Sequence, residues 1–396
     1  MSSSIEQTHP LWAEIDLQAI GHNCREIKRV IPATTLFMAV VKANACGHGA
    51  VETARTALAN GADRLGVARA AEGVALRQAG FQVPILVLGH TDPADTRMLL
   101  DYDLTQTIFD PHQAEQFSRQ ARIMGKTLQT HLKIDTGMGR LGLMAVPEPE
   151  APGLFDPRSL DLALDIVRLP GLAFEGCYTH FAQADSTDKT HAQRQLDCFL
   201  AFLQALKQQG IEFPLVHAAN SAGVIDLPGS HLDMVRPGIM LYGLYPSKDV
   251  DHLTVVLQPA MRLKTRITQL KRVPPGFVIS YGCTHVTRQP TSIATLPVGY
   301  ADGYRRNLSS RADMLVRGLR APVVGRICMD QTMLDVGHIP AARPGDEVVI
   351  LGRQGGSQIP AEELADLLGT INYEVVAGLM HRVPRVYIQA EPAATK

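Results

Sequence analysis

From residue 35 to about residue 240, short apolar or β-branched runs alternate eight times with segments of helical spacing. The runs are TLFMAVVK, RLGVAR, PILVLG, LTQTIF, LQTHLKID, LAFEGCYTHF, LVHAAN and HLDMVRPG. No hairpin signal joins any two of them, so each must return through a crossover that makes its neighbours parallel. Eight strands, each followed by a helix, is the count that closes a (β/α)8 TIM-type barrel. An open doubly wound sheet would call for G-x-G-x-x-G after its first strand, and Gly47-His48-Gly49 does not continue that way. The clearest helix is HAQRQLDCFLAFLQALKQQG, where Leu196, Phe199, Leu200, Leu203 and Leu206 share a face and Gly210 marks the end.

Beyond Tyr245-Pro246 the period changes. AMRLKTRITQL alternates apolar and polar residues, and TSIATLPVG, APVVGRICM and DEVVILG follow as short strands, with one helix in PAEELADLLGT. The expected organisation is a barrel over residues 18–246 and a mainly β domain over 247–396. Residues 1–17 carry the run LWAEIDL, too early for a barrel strand, which is expected to pair with the second domain. PEPEAPGLFDP, 147–157, reads as a loop.

A chain of 396 residues that is 45% hydrophobic can bury both cores. Lysine plus arginine (38) nearly cancels aspartate plus glutamate (39), so charge makes no case for nucleic acid or a membrane surface. No apolar run approaches the ~20 residues of a membrane helix. The opening MSSSIEQTHP has neither the basic start nor the apolar stretch of a secretory signal. Six scattered cysteines without a C-x-x-C pair read as free thiols, the pattern of a cytoplasmic protein.

In a barrel, reactive residues gather where strands end. Lys42 ends the first run, Lys133 and Asp135 end the fifth and lead to Arg140, and His180 ends the sixth. Asn220-Ser221 and Arg236-Pro237-Gly238 end the seventh and eighth. A lysine closing an apolar strand is expected to be partly desolvated, which favours a neutral amine able to form a Schiff base. The alternative is a rim lysine snorkelling its stem along apolar surface. Opposite it, Asn220, Ser221, Gly238 and Ile239 occupy the usual phosphate site of such barrels. A Schiff-base lysine facing a phosphate cradle describes a site for pyridoxal 5'-phosphate (PLP). A metal centre built on His48, His180 and His217 would leave that cradle unexplained, and no metal is expected.

VVKANACGHG resembles the lysine segment of the alanine racemase family. HLKIDTGMGRLG, YTHFAQAD, HAANSAG, MVRPGIMLYG, SYGCT, PVGYADGYRR, GRICMDQ and GTINYE resemble that family's further segments, in order, over nearly the whole chain. The resemblance implies a PLP-dependent homodimer that interconverts L- and D-alanine, built from a barrel and a C-terminal β-domain. It implies two bases on opposite faces of Cα: Lys42 for the D-enantiomer and Tyr281 for the L-enantiomer. Tyr281 and Met329 would act in the partner's site. His180 and Arg236 would support the Tyr281 phenolate, and Arg236 would also donate to the pyridine nitrogen. Arg140, with the Met329 N–H, is implied for the substrate carboxylate; Asp330, and less directly Gln331, would orient the site. Lys133, as a carbamate, would hold Arg140, unless Lys133 and Asp135 are an ordinary surface pair. Tyr300 would stand at the entrance with Arg306 behind it, and Tyr373 would contact the phosphate.

Cys46 departs from the pattern, since the family usually carries tyrosine there to bond the phosphate. Ser221, Tyr373 and the Gly238–Ile239 backbone are then expected to hold it. Two rival activities remain: a serine or broad-specificity racemase on the same scaffold, and a non-catalytic PLP carrier. The carrier reading lacks an explanation for the β-domain.

Overall fold

The computed structural model describes residues 9–146 and 155–388, so most of the 147–157 loop lies outside the described residues. The chain divides into two compact units: residues 19–45 with 50–258, and residues 9–18, 46–49 and 259–388.

The first unit is a closed barrel of eight parallel strands: Leu36–Val40, Arg64–Val67, Ile85–Val87, Thr105–Ile108, Leu128–Asp135, Leu172–Tyr178, Leu215–His217 and Met234–Val235. The last strand pairs with the first (Met234 with Leu36), and the fourth with the fifth (Thr107 with His131), so no edge is left open. Barrel strands are covered on both faces, which is why these runs are apolar throughout rather than alternating. Met38, Leu86, Tyr178 and Met234 pack together as one cluster of this core. Helix starts are set by local chemistry. Asp110 caps Pro111–Ile123 by accepting the Gln113 N–H at 2.8 Å, and Asp156 caps Pro157–Val167 at the Arg158 N–H.

In helix Thr190–Gln208 the buried stripe runs through Leu196, Phe199, Phe202 and Leu206, whereas Leu200 is exposed. Residues 247–258 run with the barrel: Arg29 donates to Thr254 O, and Asn23 exchanges two hydrogen bonds with Gln258.

One strand departs from regularity. Thr130 pairs with Phe174 but His131 pairs with Gly176, so Glu175 is an extra residue, a β-bulge.

The second unit is mainly sheet. Leu11–Asp16 lies between Met261–Arg266, antiparallel with Leu11 opposite Thr265, and Arg385–Ile388, parallel with Ala13 opposite Arg385. The alternation read in AMRLKTR appears as alternating burial along Met261–Arg266. Residues 46–49 group with this unit. A side chain at Gly47 would strike the Val376 carbonyl, and one at Gly49 the Tyr387 hydroxyl. Both glycines also hold positive φ (86° and 96°). The close approach these two glycines permit is to the helix and strand that carry Val376 and Tyr387 in the same unit.

Candidate active site

Lys42 follows the first strand, which ends at Val40, and opens a turn of unusual hand. Ala43, Asn44, Ala45 and Cys46 have φ of 54°, 52°, 54° and 48°, four successive left-handed residues, none of them glycine. Each costs about 1–2 kcal/mol relative to the right-handed form, so the turn must be held from outside. The Ala43 N–H donates to Glu72 Oε1 at 2.6 Å, and Asn44 Oδ1 accepts from the Ala50 N–H at 2.9 Å. Lys42 is exposed above the rim, not desolvated as its position after an apolar strand led one to expect. The strand ends at Val40, two residues before it, yet its charge still reaches Lys133 and His180.

Beneath it lies a concentration of positive charge. Lys133 is 5% exposed, and its amine is pushed down to about 7 by burial and by the charges of Arg140, Arg236 and Lys42. Lys133 and Asp135 do not form a surface pair. Asp135 instead accepts the backbone N–H groups of Gly137, Met138, Gly139 and Arg140 at 2.8–3.2 Å, shaping the loop that carries Arg140. The Arg140 guanidinium is exposed and has no hydrogen-bond partner among the described residues.

The sign of the Lys133 effect makes a prediction. An unfolded lysine keeps its proton to about 10.4, so between pH 7 and that value the unfolded chain binds more protons. Stability contributed by this group rises with pH across that window, by up to about 1.4 kcal/mol per pH unit. Denaturation midpoints in CO2-free buffer should rise from pH 7 to 9, and Lys133→Met should flatten that rise.

Arg236 is buried at the end of the eighth strand. Its Nη1–H donates to His217 Nδ1 at 2.7 Å, and Nη2–H to Thr179 O, Ala218 O and His180 Nδ1 at 2.7, 3.0 and 3.3 Å. Its Nε–H has no partner among the described residues. Burial lowers the guanidinium to about 10, still protonated at neutral pH. His180 is therefore an acceptor at Nδ1, and its proton sits on Nε2. Burial, then Arg236, Arg140, Lys133 and Lys42, hold it neutral.

Asn220 caps helix Ser221–Asp226 by accepting the Gly223 N–H. Ser221 Oγ accepts the Gly238 N–H at 2.9 Å, so that N–H is committed within the protein. Ile239, 1% exposed, keeps an N–H without a partner among the described residues.

Sequence reasoning missed Tyr178, the plate under this cluster. Its ring stacks on His217 with centroids 4.7 Å apart at 7°, with Arg236 5.0 Å and Lys133 5.3 Å from its centroid. Its position in line with Lys133 across the pair of strands could have signalled it. His217 has both ring nitrogens engaged, to Arg236 and to His131, so it is not available to a metal. Among the described residues no group of three or more His, Cys, Asp or Glu is arranged to hold one.

The other candidates lie in the β-domain unit. Tyr281 is 71% and Met329 54% exposed. Ser280 donates to Arg326 O, while Tyr300 and Ala301 donate to Cys328 O and Met329 O, drawing Tyr281, Tyr300 and Met329 into one region. The Met329 N–H has no partner among the described residues. Arg382 bridges Asp302 and Asp330 at 2.6 Å each. Tyr373 sits half-buried on helix Asn372–Ala377, and Arg306 is exposed on the short helix Arg306–Leu308. Cys46 is half-buried, and its carbonyl faces His48 Nδ1 at 3.1 Å. No helix among the described residues is long and apolar enough to cross a membrane.

Comparison with known proteins agrees with this architecture along the whole chain. Residues 15–246 match the alanine racemase N-terminal domain and residues 260–387 the alanine racemase C-terminal domain. The alanine racemase of Desulfosudis oleivorans is 51% identical over 97% of this chain and 98% of its own. The solved alanine racemase of Clostridium difficile 630 is 38% identical with a TM-score of 0.91, covering 97% of each chain. That of Bacillus anthracis, with bound L-Ala-P, is 38% identical with a TM-score of 0.89, covering 96% of each. A closed barrel with a cationic mouth, a β-domain bearing SYGCT, and full-length matches to both domains leave one assignment: the chain belongs to the alanine racemase family, a PLP-dependent family of isomerases.

Proposed function

We propose that this chain interconverts L- and D-alanine with PLP, as a homodimer in the cytoplasm. The observation that carries the reading is the set of four basic side chains at one barrel mouth, Lys42, Lys133, Arg140 and Arg236, beside the Ser221 hydroxyl and the Ile239 N–H. This donor set fits the cofactor: a primary amine for its aldehyde, a hydroxyl and an N–H for its phosphate, and a guanidinium Nε–H for its ring nitrogen. When bound, PLP supplies the electron-withdrawing system that acidifies the substrate's Cα–H.

Lys42 anchors the cofactor and exchanges the Cα proton on one face. Tyr281 of the partner subunit exchanges it on the other, supported by the His180 Nε2–H, which Arg236 leaves free to donate. Because a guanidinium gives up no proton, Arg236 keeps the ring nitrogen unprotonated and restrains side reactions such as transamination. The Arg140 fork takes the substrate carboxylate, joined by the Met329 N–H of the partner subunit. The high exposure of Tyr281 and Met329 within their own chain supports their acting on another copy. Lys133, pushed down to about 7, has a substantial neutral fraction near pH 7 that is open to CO2, and its carbamate would hold Arg140 electrostatically. Tyr300 and Asp330 stand at the approach, and Asn220 and Tyr373 complete the phosphate surroundings. None of the six cysteines forms a disulfide among the described residues, which supports a reducing compartment.

Racemisation rates on L-alanine, L-serine, L-lysine and L-arginine test the substrate. Alanine should exceed the others in kcat/KM by roughly 100-fold, the discrimination a close-fitting pocket achieves. Faster turnover of a long side chain would assign a broad-specificity racemase. Cofactor binding with no α-deuterium exchange from alanine would assign a carrier.

A further inference from the structure

Below Arg236 the hydrogen bonds continue through the barrel interior. His217 Nε2 lies 2.8 Å from His131 Nδ1, and His131 Nε2 lies 3.1 Å from Glu175 Oε1. Arg64 grips the same carboxylate at 2.8 and 3.3 Å. His131 and His217 are both fully buried.

The end groups of this line determine everything between them. Arg236 can only donate, so His217 Nδ1 must accept and its proton sits on Nε2. That proton points at His131 Nδ1, which must accept in turn, placing the His131 proton on Nε2. There it meets an ionised carboxylate, which can only accept. The chain therefore runs one way: Arg236 to His217 to His131 to Glu175. Reversing either imidazole would set two N–H groups face to face in a site without water's freedom to adjust. Burial opposes the charged form of both rings, and bonds from His131 and Arg64 overcome burial to hold Glu175 down at about 2.

We propose that Glu175 and His131 are positioning residues for Arg236: the carboxylate at the far end orders a one-way chain of hydrogen bonds that locks the guanidinium's orientation toward the catalytic centre. The inference rests on the reading of Arg236 as the residue facing the cofactor ring. The backbone is built to admit the chain. The bulge at Glu175 turns that side chain to His131, and Gly176 leaves room for the imidazole, since a Cβ there would lie 2.5 Å from His131 Cε1 and Nδ1.

The test uses holoenzyme. Imidazole 15N spectra of the wild-type protein should show both His131 and His217 neutral with the proton on Nε2. A proton on Nδ1 of either ring, or a doubly protonated ring, would overturn the chain. This readout needs no variant and no turnover. His131→Phe and Glu175→Leu should lower kcat roughly 10-fold to 100-fold, the usual effect of removing a partner one shell out, with KM for alanine changed less than twofold. They should also release more pyruvate per racemisation event, the amino group and its electron pair remaining on the cofactor. Glu175→Gln, which keeps an acceptor oxygen facing His131, should recover most of the loss. Equal effects of Gln and Leu, or kcat and KM falling together without added pyruvate, would reduce these residues to packing. If Arg236→Lys itself leaves kcat and pyruvate release unchanged, the reading of Arg236 fails instead, whatever the spectra show.

Discussion

Lys42→Ala should abolish racemisation in both directions, by ~10^4-fold or more. The substitution removes the anchoring amine and one of the two proton carriers together, and a positioned base alone contributes about 10^2–10^4-fold. Little should happen to the fold. Lys42 is exposed, and it precedes the left-handed residues rather than belonging to them. A surface substitution away from special backbone geometry typically stays within about 0.5 kcal/mol. The measurement is initial rate from each enantiomer by chiral chromatography, beside a thermal melt and the near-ultraviolet spectrum of PLP-treated protein. Residual activity within tenfold of wild type, in a folded protein, would remove Lys42 from the centre of the mechanism. The exposure of Lys42 sharpens this experiment, because lost activity cannot be blamed on a lost core contact.

Tyr281→Ala should divide the reaction rather than erase it. With Lys42 intact, D-alanine in deuterated water should still lose its α-proton, read by proton NMR. Conversion to L-alanine should fall by roughly 10^2–10^4-fold, the contribution of a positioned acid–base group. The local geometry makes the tyrosine a clean target for substitution. It stands 71% exposed on a short turn between Ser280 and Cys283, both at positive φ, so its ring supports little of its own domain. If α-proton exchange from D-alanine stops together with racemisation, the two faces are not served by two residues. Tyr281→Phe, which keeps the ring, should behave as Tyr281→Ala does if the hydroxyl is what matters.

Much of this was readable in order along the chain. The eight runs and their crossovers gave a barrel without reference to any relative, because burial on both faces writes itself as continuous apolar stretches. The period-two segment AMRLKTR marked the change of domain for the same kind of reason. Strand ends then collected Lys42, Lys133, Arg140, His180, Ser221 and Arg236 at one mouth, since all eight strands run in one direction. The β-domain residues Tyr281, Tyr300, Met329 and Asp330 were legible only through likeness of segments. Nothing in their spacing foretells that Ser280, Tyr300 and Ala301 bond to the 326–329 backbone.

The parallel barrel, its companion sheet and the identity of the groups at the mouth can be read along the chain. Those follow from local periodicity and from the rule that strand ends share one side. How those groups are held is a matter of contacts between distant segments. The left-handed turn after Lys42 depends on Glu72, almost thirty residues away in the sequence. The glycines of GHG answer to Val376 and Tyr387 at the far end of the chain. The one-residue bulge at Glu175 breaks the alternation that a reader of LAFEGCYTHF would apply, and it brings the carboxylate to His131. Each of these is a contact between segments distant in sequence, paid for by packing that no window of residues contains. A periodic pattern can say which face a side chain occupies, but not which partner across the barrel will fix its proton.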